Sequence, residues 1–420
     1  MKFVHASDIH LDSPMLGLER YDGAPVEEIR GATRRALQNL VDLAVNEKVD
    51  FVLIAGDLYD GDWKDYNTGL FFVSQMARLR ESRIKVIIVT GNHDAANQIT
   101  RHLRMPDNVS ILSVQQPESI ILKSSDVAIH GQGFASRAVT DDLVAHYPKA
   151  RPGLFNIGLL HTCLDGREGH EPYAPCSSDE LLSRGYQYWA LGHVHKRETI
   201  RESPWVLFPG NTQGRNVRET GPKGCMLVSV DDGSVTDVEF RSLDVFRWSV
   251  NDVSVAGVSE LDEVLDVIEK ALKREVQMVE NMPVALRIRL CGSLKIHGRV
   301  LSNSEYLKNE TRALASDMSN GNIWIEKVSV DTTGMADLKE MMMRDDVLGG
   351  LLRTIYDLQY DEQCLKDIFK ELDDLFRKLP HEYLNDDEAI HPERKETLAR
   401  VMGDVKHMLL NRMASSGGAQ

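Results

Sequence analysis

Phe51-Val52-Leu53-Ile54-Ala55-Gly56-Asp57 decides how this chain folds: five apolar residues, the length of a buried strand, run straight into a glycine and a carboxylate. In open α/β sheets reactive groups gather beyond the carboxyl ends of the strands, and Asp57 stands at such a place. The arrangement recurs in both directions. Upstream, the strand expected over 2–6 is followed by Asp8-Ile9-His10; downstream, the strand over 85–90 leads into Gly91-Asn92-His93-Asp94. Further on, a run over 155–161 ends on His161, and one over 188–191 is followed by Gly192-His193-Val194-His195. Another strand is expected over 127–131. Five strand ends therefore offer carboxylate, imidazole and amide groups to one edge. The glycines beside Asp57, Asn92 and His193 are expected to turn the backbone sharply after each strand.

Between the first two strands, Pro25 suits a helical first turn, and Val26, Ile29, Ala36, Leu37, Leu40 and Ala44 recur at helical spacing. The first half is thus a layered α/β domain. Near Asp231-Asp232-Gly233-Ser234 the pattern becomes a β-hairpin over 225–230 and 235–240, which closes a domain spanning 1–245. A small α/β module over 246–333 follows, with strands over 247–255, 284–290 and 323–330 and helices over 259–279 and 305–318. The stretches 346–360, 362–378 and 392–412 carry apolar residues at helical spacing and give a helical region over 334–414, before a Ser/Gly-rich tail at 415–420.

With 42% hydrophobic and 27% charged residues, and no apolar run near the ~18 residues of a membrane span, the composition is that of a globular protein. The start lacks a secretory apolar segment, and five scattered cysteines form neither a disulfide framework nor a Cys-x-x-Cys zinc site, so a cytoplasmic location is expected. A formal net charge of −15 sits awkwardly with nucleic-acid binding. Bound cations would neutralise part of it, and much of the excess lies in the C-terminal quarter.

Carboxylate and amide oxygens favour manganese or magnesium, and imidazoles extend the range to iron, zinc and nickel. Each segment alone has a plainer reading: Asp8-x-His10 a solvated loop, Gly56-Asp57 a common turn, His161 a satisfied buried histidine, Gly-His-Val-His an exposed strand end. All of them in order, each at a strand end, make coincidence a poor account.

Together these blocks resemble the calcineurin-like metallophosphoesterases over roughly residues 1–245. Phe3-Val4-His5-Ala6-Ser7-Asp8-Ile9-His10-Leu11-Asp12-Ser13-Pro14 and Gly56-Asp57-Leu58-Tyr59-Asp60 look like the SbcD-type DNA repair exonucleases. Gly17-Leu18-Glu19-Arg20-Tyr21 and the segment Gly214-Arg215-Asn216-Val217-Arg218-Glu219-Thr220-Gly221-Pro222-Lys223-Gly224 resemble the bacterial YhaO branch. The resemblance implies a β-sandwich flanked by helices and two divalent ions, manganese first, with magnesium, iron or zinc as alternatives. Asp8, His10, Asp57 and His195 would surround one ion and Asp57, Asn92, His161 and His193 the other, with Asp57 bridging. His93 would steady the phosphorus and protonate the leaving oxygen, with Asp94 orienting it. Some relatives carry a histidine where this chain has Asp60, which bears on the balance of exonuclease and endonuclease activity; a turn carboxylate capping the next helix is its plainer reading.

Arg197, Arg215, Arg218 and Lys223 follow the last block and are candidates for gripping a DNA backbone, against the plainer reading of a solvated charged loop. By position, 246–333 corresponds to a capping domain that selects substrate. The C-terminal helices correspond to the region that docks on an SbcC-like coiled-coil ATPase, with Met341, Met342, Met343, Val347, Leu348, Leu351 and Leu352 as an apolar face. The family also tends to form homodimers. The expected activity is a metal-dependent DNA nuclease, a 3′-to-5′ exonuclease with some endonuclease activity. Its rivals are a phosphatase or small-molecule phosphodiesterase with the same metals, and a non-catalytic subunit of an ATPase.

Overall fold

A computed structural model describes residues 1–13, 31–60, 66–95, 103–166, 173–279 and 282–334, with 343, 345, 346, 349, 350, 353 and 354 beyond them. The C-terminal helices, the apolar face there apart from Met343, and the Pro25–Ile29 start of the first helix lie outside the described residues. So does the Gly17–Tyr21 segment.

The chain begins with β1 (Lys2–Ala6), α1 (Ala32–Asn46), β2 (Phe51–Ala55), α2 (Tyr66–Glu81), β3 (Lys85–Val89) and the short α3 (Asn92–Ala95). It continues through β4 (Val109–Ile111), β5 (Glu118–Leu122), β6 (Val127–Gly131), β7 (Phe155–His161), α4 (Ser178–Ser183) and β8 (Tyr188–Gly192). Then come β9 (Glu198–Glu202), β10 (Trp205–Phe208), β11 (Gly224–Asp231) and β12 (Ser234–Ser242). One sheet has the order β12-β11-β1-β2-β3-β4 and the other β5-β6-β7-β8-β10-β9. Within them β1, β2, β3 and β4 are mutually parallel, as are β6, β7, β8 and β10.

The alternation of side chains along a strand explains the layering. Phe3, Phe51, Leu53, Ala55, Ile87 and Val89 from the first sheet meet Val127, Ile129, Phe155, Ile157, Leu159, Tyr188 and Ala190 from the second, forming the core between the sheets. Their neighbours Val4, Ala6, Val52, Ile54, Val86 and Ile88 point the other way, onto Leu37, Leu40, Val41 and Ala44 of α1 and Phe72, Met76 and Leu79 of α2. Leu160, Trp189 and Leu191 cover the outer face of the second sheet with Tyr147, Leu181 and Tyr186. Strands buried on both faces are apolar at nearly every position, the exceptions such as His5 and Asn156 being hydrogen-bonded inside, which is why they stand out in the sequence. Each fully buried leucine or isoleucine contributes about 1.5–3 kcal/mol.

The expected sandwich and hairpin are present. The hairpin turns on Asp232 and Gly233, both at positive φ (49° and 72°), the two-residue geometry that matches strand twist. Strands β4, β5, β9 and β10 were not anticipated. β4 has three residues, and β9, Glu198-Thr199-Ile200-Arg201-Glu202, is a polar edge strand with no buried residue to give it an apolar pattern. Farther along, β13 (Arg247–Ser254), β14 (Val284–Leu294) and β15 (Ile323–Gly334) form a three-stranded sheet, with α5 (Leu261–Met278), α6 (His297–Ser302) and α7 (Ser304–Ser319) between them. β14 and β15 run longer than their apolar runs suggest, because polar pairs such as Ser293 Oγ with Thr333 Oγ1 (2.8 Å) continue between them.

Candidate metal centre

The carboxyl ends of β1, β2, β3, β7 and β8 converge. Loop one is tied to loop two as an extension of the sheet: Asp8 N–H donates to Gly56 O, His10 N–H to Asp57 O and Leu11 N–H to Leu58 O, at 2.9–3.0 Å. Asp8, His10, Asp57 and His193 all adopt positive φ (50°, 45°, 51° and 103°). Non-glycine residues held there cost about 1–3 kcal/mol each and persist only where surrounding structure dictates them. Of the three glycines, Gly56 makes the turn, at φ 88°. Gly91 and Gly192 have another reason: a Cβ at Gly192 would stand 1.8 Å from Ala55 O, and one at Gly91 2.3 Å from Asp57 Oδ1. They let the loops and the two sheet edges close on one another rather than turning the chain.

Strand parity aims His161. It lies on the same face as Phe155, Ile157 and Leu159, so its fully buried ring enters the rim between the sheets. Its Nδ1 donates to Ala55 O (2.9 Å), since a carbonyl only accepts. Its Nε2 faces Asn92 Oδ1 at 3.0 Å and Asp57 Oδ2 at 3.4 Å. A neutral ring would present three acceptors to one another there, an arrangement that either a proton or a cation resolves. The proton's tendency to sit there is visible: burial alone would depress His161, but the Asp57 and Asp8 carboxylates lift it to about 9. Burial would raise Asp57, yet the His161, His10 and His93 imidazoles hold it well below the carboxylate range.

Across the rim, His10 Nε2 and His195 Nε2 point at each other 3.2 Å apart, and His195 Nε2 lies 3.6 Å from Asp8 Oδ1. Burial, aided by Arg215 and opposed by Asp60, lowers His10 to about 4, so it stands neutral with donor electrons available. Asp8 is fixed by Ser7 Oγ (2.5 Å) and by the backbone N–H of His193. Donor atoms of Asp8, His10 and His195 lie within 4.8 Å of one another, as do those of Asp8, Asp57 and His161. Cation–ligand bonds of about 2.0–2.2 Å span such gaps, so the residues fit two neighbouring divalent ions. A third such triplet, His10, Asp60 and His93, lies at the mouth, and the His193 ring packs 5.1 Å from that of His161 without joining any of the three.

His93 stands at the mouth, 29% of its side chain exposed, whereas the rings of His10 and His161 are fully covered. The carboxylate on its Nδ1 is Asp60, at 2.9 Å, and not Asp94. Asp94 accepts instead from the backbone N–H groups of Tyr59 (2.9 Å) and Gly91 (3.0 Å), buttressing the second and third loops. Burial and Asp57 push Asp94 up to about 6. Burial would lower His93, but Asp60 and Asp57 outweigh it and raise it. Asp60 also accepts from Ser13 Oγ (2.5 Å) and faces Arg215 at 3.7 Å. The helix-capping reading of Asp60 falls on residues 61–65, outside those described.

Residues 1–197 match the calcineurin-like phosphoesterase family, and 248–333 match the middle domain of metallophosphoesterase YhaO. Over 380 residues, 89% of this chain and 90% of the relative, the sequence is 33% identical to the uncharacterized metallophosphoesterase YhaO of Bacillus subtilis. The chain belongs to the YhaO family of calcineurin-like metallophosphoesterases. This YhaO-family chain is also 24% identical over 318 residues to the DNA double-strand break repair protein Mre11 of Sulfolobus acidocaldarius (72% of this chain, 78% of that one). It is 24% identical over 290 residues to Mre11 of Methanopyrus kandleri (62% and 60%). A dimetal phosphatase structure from Danio rerio superposes with a TM-score of 0.34 at 12% identity, over 55% of this chain and 93% of the other.

The four cations proposed to hold DNA part company in the YhaO-family structure. Arg215 reaches the rim, between Glu219 and Asp60. Lys223 is buried, its Nζ donating to His195 O (3.1 Å), and burial lowers its pKa. The Arg197 guanidinium lies 4.0 Å over the Phe240 ring, and Arg218 is exposed. Two residues given no role from sequence matter here. Glu219 binds His195 Nδ1 at 2.8 Å, and Asp12 takes Arg34 Nε (2.7 Å) and Thr68 Oγ1 (2.6 Å) to brace the first loop. Glu219 was in view within the Arg215–Lys223 segment, but nothing local marks it as the partner of a histidine 24 residues away.

Proposed function

We propose that this metallophosphoesterase is a DNA nuclease using two manganese ions, a 3′-to-5′ exonuclease with endonuclease activity acting in DNA repair. The observation that carries the reading is the gathering of Asp8, His10, Asp57, Asn92, His161 and His195 at one rim beside a partly exposed His93. The Mre11 relatives supply the substrate class.

In this reading Asp8, His10, Asp57 and His195 hold one ion and Asp57, Asn92, His161 and His193 the other. When bound, the ions lower the pKa of water and draw charge from the phosphodiester oxygens. His93, its protonated form favoured by Asp60, delivers a proton to the leaving oxygen. Asp60 and Arg215 hold one another in place, and Asp94 keeps the loop bearing Asn92 and His93 against the loop bearing Asp57. Residues 1–245 form the nuclease domain, 246–333 cover and select substrate, and 334–414 dock on an SbcC-like coiled-coil ATPase, with homodimer formation and a cytoplasmic setting. No helix among the described residues is long and apolar enough to cross a membrane.

The net charge of −15, with Lys223 turned inward and Arg197 laid over Phe240, favours a second reading, a phosphatase or small-molecule phosphodiesterase. End-labelled single-stranded and duplex DNA should be incubated with manganese, magnesium or EDTA, beside para-nitrophenyl phosphate and its diester. Manganese-dependent degradation of DNA, lost in Asp57→Ala and His93→Gln, is the expected result. Intact DNA with turnover of the small esters would replace the nuclease reading by the second one.

A further inference from the structure

Glu219 is 8% exposed, and each of its oxygens takes two hydrogen bonds. Oε1 faces His195 Nδ1 (2.8 Å) and Arg215 Nη2 (3.2 Å); Oε2 accepts from Asn211 Nδ2 (2.8 Å) and the Arg215 backbone N–H (2.7 Å). Guanidinium, amide nitrogen and backbone N–H can only donate, and a carboxylate only accepts. We propose that Glu219 is the positioning residue for His195, fixing the tautomer with hydrogen on Nδ1 so that the Nε2 lone pair is presented beside Asp8 to a divalent cation.

One contact argues the other way: Arg215 Nη2 also lies 3.3 Å from His195 Nδ1, which only a lone pair there would satisfy. The Glu219 contact is shorter and its acceptor is charged, so it prevails. Arg215 keeps a partner in either case, through Glu219. The loop bearing Glu219 is held independently of any ion. Gln213 Nε2 donates to Phe246 O (2.6 Å), Trp248 Nε1 to Gly214 O (3.2 Å) and Lys223 Nζ to His195 O (3.1 Å). The carboxylate is therefore in place before a cation arrives, which is how an outer partner sets a ligand's orientation.

This inference rests on the two-ion reading of the site but not on the substrate. Calorimetric titration of the full chain with manganese should find two sites in wild type. Glu219→Gln places an amide NH₂ against at least one of those donors and should weaken one site about 10- to 100-fold while sparing the other, with thermal unfolding in EDTA showing that the variant is folded. Because that variant could fail to fold, a second measurement uses wild type alone. Long-range ¹H–¹⁵N spectra in EDTA should show His195, assigned by its absence in His195→Gln, as the Nδ1–H tautomer. An Nε2–H ring in wild type, or a folded Glu219→Gln with two unchanged manganese sites, overturns the role of Glu219 and leaves the dimetal site standing. Wild type that binds no manganese overturns both.

Discussion

The two sides of the rim hold their histidines by different means. On the Asp8 side, His195 leans on the side chain of Glu219, itself fixed by Arg215 and Asn211. On the Asn92 side, His161 leans on the backbone carbonyl of Ala55, placed by the pairing of β2 within its sheet. A backbone acceptor comes with the fold and cannot be mutated away. A carboxylate acceptor must be brought from elsewhere in the chain, and it adds charge as well as direction. The Asn92 side is thus as rigid as the sandwich, whereas the Asp8 side depends on a loop.

Breaking both sides at once gives the largest effect. Asp57 faces both groups of donors, so Asp57→Ala should abolish high-affinity manganese binding in calorimetry and reduce phosphodiester hydrolysis to background. Retention of one tight site would mean that Asp57 serves one side only. Next in size, His93→Gln should lower kcat by about 10²- to 10⁴-fold on esters with a poor leaving group, the range expected for a lost general acid. Both ions should remain bound, since the His93 ring sits at the mouth. Equal losses on nitrophenyl and alkyl esters would speak against proton delivery by His93.

Asp60→Asn should have a smaller effect and a specific pH signature. Asp60 raises His93. A group acting as its protonated form loses activity as pH rises through its pKa, so lowering that pKa moves the alkaline limb of kcat to lower pH. A profile whose alkaline limb stays in place would assign that limb to another group. The smallest effect concerns stability away from both sides. His5, buried between Tyr188 Oη (3.0 Å) and Leu191 O (3.1 Å), is lowered by burial to about 3. Because its folded pKa lies below the unfolded one, its contribution is intact above pH 6.5 and declines as pH falls toward 3. Each proton taken up on unfolding steepens the decline by at most about 1.4 kcal/mol per pH unit. Denaturant titrations of His5→Gln should show a shallower acid slope than wild type, and identical slopes would mean that His5 does not unfold neutral.

Much of this was legible in the chain. The strands leading to Asp57, Asn92, His161 and His193 are short, largely apolar runs of strand length, and their polar ends follow at once. Gly56 turns the chain as its place after β2 suggests, whereas Gly91 and Gly192 allow close approach between segments, which is not a property of either segment alone. The resemblance implies Asp94 as the group that orients His93. In the structure the α3 turn sends its carboxylate back to Gly91 N–H, and Asp60, from the preceding loop, meets the imidazole. The edge strand β9 leaves no signature in the sequence because, with no residue fully buried, it carries no apolar pattern.

By itself, the sequence determined the buried parallel strands, the ligand types at their ends and the family, since burial on both faces and strand-end chemistry are written in consecutive residues. Only the tertiary structure decided which carboxylate meets which imidazole. Asp60 meets His93 and Glu219 meets His195 across 33 and 24 positions, and Asp12 meets Arg34 of α1 across 22, because the fold brings segments that follow different strands side by side. A buried charge takes the donors that the fold brings within reach, not those nearest along the chain.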